Sequence, residues 1–131
     1  MEKSTTAMFI GHRECFGLDE KRVQAAIEQL IRLGVDTFLC GGMGAFDRLC
    51  ARLVYQAKQR YPAVRCILVI PYLSFRIQER KYFDEVLYPE GFEKYHFKAA
   101  IPARNRFLVN HSAYALCYCL LYTSPSPRDT E

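Results

Sequence analysis

Three glycines crowd the stretch "LCGGMGAFDRL", at positions 41, 42 and 44, where an apolar run hands over to a helical pattern. Glycine tolerates positive φ and lets a ligand approach the backbone closely. A helix starting there offers unpaired N–H groups and the positive end of its dipole. Gly41, Gly42, Met43 and Gly44 therefore meet the requirements for cradling a phosphate. The same residues also suit a tight strand-to-helix turn that holds nothing. The pattern is neither a Walker loop, since no Gly-Lys-Ser/Thr follows, nor Gly-x-Gly-x-x-Gly. Asp47 is the one carboxylate beside the loop. It could hydrogen-bond a ribose hydroxyl, or simply occupy a first helical turn, where carboxylates are favoured.

Two other groups could converge on the same place. "FIGHR" ends the first apolar run with Gly11, His12 and Arg13. Arg13 could pair with a phosphate and His12 could hydrogen-bond it, with an exposed loop as the plainer alternative. "IPARNRFLVNHSAYAL" sets Arg104, Asn105 and Arg106 in what reads as the opening turns of a helix from Pro102 to about Asn110. Cations there oppose the dipole, which hints at a compensating anion, though surface arginines also account for it. Pro71 and Tyr72 close a third apolar run and would border the pocket. The aromatic residues between 72 and 97 could stack a base or serve only as packing. Asp84 and Glu85 read as the solvated face of a short helix near 75–86.

The elements that must position these residues follow from periodicity. "TAMFIGHR", "VDTFLC" and "CILVIP" are short apolar runs of strand length. Leu18 to Leu33 reads as a helix, with Val23, Ala26, Ile27, Leu30 and Leu33 on one face and Gly34 at its end. A second helix runs from Gly44, with Phe46, Leu49, Cys50, Leu53, Val54 and Ala57 as its apolar stripe. "AYALCY", 113–118, is a fourth strand. Strands alternating with helices at this spacing predict a parallel sheet in a three-layer α/β fold. In such a sheet ligands bind beyond the carboxyl ends of the strands, where the tripeptide 11–13 and the glycine loop would be neighbours.

Composition narrows the class. The chain of 131 residues is long enough for one domain, and half of it is hydrophobic, as a globular core requires. A formal charge of +4 only weakly favours polyanionic ligands. Four of the six cysteines, Cys40, Cys50, Cys66 and Cys117, lie in apolar runs and are expected to be reduced and structural. No Cys-x-x-Cys pair exists, and the lone Cys117-x-Cys119 makes no metal site. No stretch has the length of a signal peptide's apolar region or of a membrane span, so a cytoplasmic protein without a membrane partner is expected. After Tyr118 the Ser/Pro-rich "CLLYTSPSPRDTE" lacks a core pattern. "LLYTSPSPRD" resembles an adaptor-derived translation, so residues 119–131 are expected to be a disordered, foreign tail on a domain truncated at its C-terminus.

Taken together, "GHR", "CGGMGAFDRLCA", "ILVIPY" and "IPARNRFLVNHSAYALCY" resemble the SLOG superfamily, which contains the Smf/DprA DNA-processing proteins and the LOG phosphoribohydrolases. The likeness spans residues 7–118 and is nearest to the small YpsA-like bacterial branch. It implies a Rossmann-like fold and a nucleotide or ADP-ribose-like ligand, in stress or cell-division control, with no established cofactor. A homodimer is a further expectation. In that reading Arg13 and Arg104 neutralise phosphate, Asn105 and Asp47 bind sugar or base, and Tyr72 borders the pocket. LOG-type hydrolases carry Pro-Gly-Gly-x-Gly-Thr-x-x-Glu, with the glutamate catalytic. Here Cys40, Ala45 and Arg48 replace the proline, threonine and glutamate, which argues against N-glycosidic hydrolysis. Gly44-Ala45-Phe46-Asp47 and Arg104-Asn105-Arg106 are similar to motifs of the DprA-like proteins, which bind single-stranded DNA. That alternative is weakened by the lack of a strong basic stripe.

Overall fold

The structure, a computed structural model, describes residues 1–11 and 19–118. Five strands, β1 (Thr6–Gly11), β2 (Thr37–Cys40), β3 (Arg65–Val69), β4 (Glu85–Leu87) and β5 (Tyr114–Tyr118), form one sheet in the order β4-β3-β2-β1-β5. Every pairing is parallel. Among the described residues the α-helices are α1 (Glu20–Arg32), α2 (Gly44–Ala57) and α3 (Phe97–Asn110). None is long and apolar enough to cross a membrane.

Side-chain alternation along the strands builds a layer on each face. Ala7, Phe9, Phe38, Cys40, Cys66 and Leu68 point to one side, where they pack with Val23 and Ile27 of α1 and Phe46, Leu49 and Val54 of α2. Met8, Leu39, Ile67 and Val69 point to the other, where they meet Leu108 of α3. Both faces of β2 are thus covered, which is why its four residues are apolar or buried without a polar face. This is the expected three-layer α/β arrangement.

Local signals explain the boundaries. The Asp19 carboxylate accepts the backbone N–H groups of Lys21 and Arg22 at 3.1 and 3.3 Å, so α1 starts at Glu20, two residues later than the Leu18 expected from apolar spacing. α2 begins at Gly44, as its pattern predicts.

Two expectations fail. The segment 75–86 is not a helix but an irregular stretch containing a 3-10 turn, Arg80–Tyr82, before β4. The Asp84 carboxylate accepts the Cys66 N–H at 2.8 Å while the Asp84 N–H donates to the Cys66 carbonyl at 2.8 Å. This exchange lays the segment alongside β3, and an ion pair from Arg65 to Glu85 extends it. "AYALCY" is consequently the fifth strand. Second, α3 begins at Phe97, five residues before Pro102, which lies inside the helix. Arg104 and Arg106 therefore sit mid-helix, and the argument from cations at a helix N-terminus does not apply to them.

The strand order places the change of direction at β1. The chain moves outward from β1 to β4 on one side, then returns by α3 to β5 on the other. A crevice outside the carboxyl ends of the strands at this point is the general ligand position in open α/β sheets.

Candidate functional site

A cleft of ≈ 300 Å³ lies there. Met8 to Gly11 of β1 form one wall, Gly41, Met43 and Asp47 a second, and Ile101, Arg104, Asn105, Leu108 and Val109 of α3 the third.

Arg104 is the residue around which the site is organised. Its side chain reaches from α3 to the carboxyl ends of the central strands and is 3% exposed. Nη1 donates to the carbonyls of Gly41, at 2.7 Å, and Val69, at 3.0 Å. Nε donates to Asn105 Oδ1 at 3.0 Å, and Nη2 approaches Met43 Sδ at 3.3 Å. Those carbonyls lie just past the end of β2 and at the end of β3, and the guanidinium gives each of them a buried donor. Arg104 is expected to neutralise phosphate; in the structure its donors are engaged by two backbone carbonyls and by the Asn105 and Met43 side chains.

Asp47 secures the same loop from the other side. Its Oδ2 accepts the Met43 N–H at 3.0 Å. Burial pushes its carboxyl pKa up to about 6, opposed by the Met43 hydrogen bond and the Arg104 charge. Burial also pulls the Arg104 pKa down, against the Asp47 carboxylate. The loop Gly41–Gly44 is thus clamped between a carboxylate and a guanidinium whose charges offset each other.

Two glycines are required by geometry. Gly42 has φ +72°, and a Cβ there would lie 2.6 Å from Leu68 Cδ1. Gly11 has ordinary backbone, but a Cβ on it would fall 2.5 Å from the Phe46 ring, which is itself buried. The glycine of "FIGHR" therefore lets β1 close against α2, a role that its position in the sequence does not announce.

Of the residues expected at the site, Gly11, Gly41, Met43, Asp47, Arg104 and Asn105 line the cleft together. Gly42 and Gly44 shape the loop, both at positive φ. Pro71 is buried. Tyr72 stands apart from the cleft wall, its ring 4.6 Å from Phe97 and 5.9 Å from Phe75. His12 and Arg13 lie outside the described residues. The apolar wall from α3, Ile101, Leu108 and Val109, is missed by motif reading; the i, i+7, i+8 spacing from 101 is its signal in the sequence.

Among the described residues, the groups around the cleft are mostly engaged in holding the loop. Among the described lining residues, Asp47 is the one carboxyl, and its Oδ2 is held by Met43. Cys40 and Cys66 are buried, and burial pushes both thiols well above the ordinary value, away from thiolate chemistry. Cys117, expected to pack, is exposed. Arg48, at the position of the hydrolases' glutamate, donates to Gln78 Oε1 at 3.2 Å and faces a separate groove with Arg52 and Glu79. No group of three or more potential metal ligands occurs among the described residues.

No protein-family model matches the chain, and no curated protein is similar to it. Among solved structures it is similar to DNA processing protein A from Helicobacter pylori, described by its single-stranded DNA binding mode. The TM-score is 0.58 at 17% identity, over 88% of this chain and 54% of that one. The chain thus spans about half the length of its neighbour. At that identity the likeness speaks to the backbone alone: the parallel sheet with its helices on both faces is a Rossmann-like fold, shared with DNA processing protein A.

Proposed function

We propose that this chain binds single-stranded DNA, taking a nucleotide of the strand into the cleft at the carboxyl ends of β1 and β2. The observation that carries the reading is the cleft's chemistry at the sheet's switch point. It joins a clamped glycine turn to an apolar wall and one exposed amide, Asn105. With Oδ1 taken by Arg104, the Asn105 amide still has N–H groups to offer a base or sugar. Met43 at the head of α2 supplies no side-chain cap, which leaves the first-turn N–H groups of α2 without an acceptor from that residue. The single-stranded DNA binding attributed to the structural neighbour, and the SLOG resemblance of the Arg104-Asn105-Arg106 run, support the same reading.

Fluorescence anisotropy with a labelled oligothymidylate tests it. Binding is expected to weaken with rising salt, as contacts to a few phosphates require, and to weaken further in Asn105→Ala and Arg106→Ala. No binding at low salt overturns the proposal.

A free nucleotide or ADP-ribose-type ligand is the second reading, favoured by the cleft's volume, which is at the lower end for small-molecule sites. It predicts stabilisation against heat by one nucleotide and none by oligonucleotides. N-glycosidic cleavage would show as free base from nucleoside monophosphates; with Arg48 in the glutamate's place, none is expected.

A further inference from the structure

Beside the cleft, the same edge of the sheet carries an exposed aromatic surface that the proposed nucleotide site does not use. Phe97, the first residue of α3, is 58% exposed, and Leu73 is 75% exposed. Exposing such side chains forgoes the stabilisation that burial gives, so a cluster of them is informative where single ones are not. The Phe97 ring lies 4.6 Å from that of the half-buried Tyr72, with 35° between their planes. Tyr72 in turn contacts Phe75 edge-on, and Phe75 comes within 3.5 Å of where a Gly42 Cβ would stand. A continuous path of contacts therefore joins the pair to the glycine loop.

Charge identifies the occupant. The two segments that carry these rings, 70–78 and 94–111, contain Arg76, Lys94, Lys98, Arg104 and Arg106 and no aspartate or glutamate, although the chain has 14 carboxylates. Arg76, Lys98 and Arg106 are exposed. An aromatic surface whose own segments carry cations, with the nearest carboxylates in sequence at Glu79 and Glu93 just beyond them, suits a ligand with alternating flat rings and negative charges.

We propose that Tyr72 and Phe97 form a stacking platform for an unpaired base of single-stranded DNA, next to the nucleotide held in the cleft. This rests on the function proposed above. The base lies against the Phe97 ring, with its phosphates toward Lys98 and Arg76. Stacking is tolerant of sequence because every base has a π-face.

The test compares wild type, Phe97→Ala and Phe97→Trp by anisotropy on labelled dodecathymidylate and on the same oligomer made abasic. Phe97→Ala is expected to bind the thymidylate about tenfold more weakly, with abasic binding and melting temperature unchanged, and Phe97→Trp to restore affinity. If Phe97→Ala binds the thymidylate as wild type does, or loses both oligomers equally, the platform is overturned while the function stands. If wild type binds neither oligomer, both fall.

Discussion

The glycine loop and the Tyr72–Phe97 surface lie on one edge of the sheet and are built on opposite principles. The loop is half-buried, polar and over-determined: Arg104 donates to the Gly41 carbonyl and ties it to that of Val69, and Asp47 accepts the Met43 N–H. In the aromatic pair Phe97 is mostly exposed and Tyr72 half-buried, and only Tyr72 reaches the core, edge-on through Phe75. Stability is concentrated at the first and nearly absent from the second, so substitutions separate what holds the fold from what meets a ligand.

Arg104→Met breaks the comparison hardest. It leaves the Gly41 and Val69 carbonyls without their donor and Asp47 without its cation, a loss of about 3–5 kcal/mol by the measure of broken buried ionic groups. Urea denaturation checks it, and Arg104→Lys is expected to recover little because an ammonium cannot reproduce the fork of donors.

Acidity probes the clamp's other jaw. Asp47 titrates near 6 in the folded chain against an ordinary 3.8, so the native state favours the neutral acid. Its contribution is full below the unfolded value and is lost as pH rises through about 6, on the order of 2–3 kcal/mol. Asp47→Asn is expected to flatten that slope in denaturation curves taken between those pH values. Asp84 acts in the opposite sense. Partial burial pushes its pKa up, but the Lys58 ammonium and the Cys66 N–H outweigh that and hold it below the usual value. Its contribution is lost as pH falls through that lowered value, so the two slopes are distinguishable by sign.

Gly42→Ala and Gly11→Ala sharpen the contrast at the backbone. The first forces a side chain into positive φ against Leu68, the second drives a Cβ into the buried Phe46 ring. Each is expected to cost about 1–3 kcal/mol, read as a lowered urea midpoint. Phe97→Ala has the smallest effect on stability: within about 0.5 kcal/mol, since its ring is mostly in solvent.

Legibility in the sequence follows the range of the interactions involved. β1, β2, α1 and α2 are visible because each is encoded by its own apolar period, and the cleft's glycine wall because "CGGMGAFD" is local. β4 is not visible: "EVL" is three residues long and only half-buried, and what makes it a strand is the Asp84–Cys66 exchange across 18 residues of chain. Likewise "IPARNR" suggests a helix start at Pro102, but the His96 Nδ1 accepting the Lys98 N–H starts α3 earlier.

By itself, then, the sequence determined an α/β chain with glycines between its second strand and second helix, since alternation and backbone tolerance are properties of neighbouring residues. The tertiary structure alone decided what the arginine of "ARNR" does. Arg104 is 63 residues from Gly41 and 35 from Val69, and the sheet brings both carbonyls to its guanidinium. A residue type says which donors exist; only the fold says which acceptors lack a partner within reach.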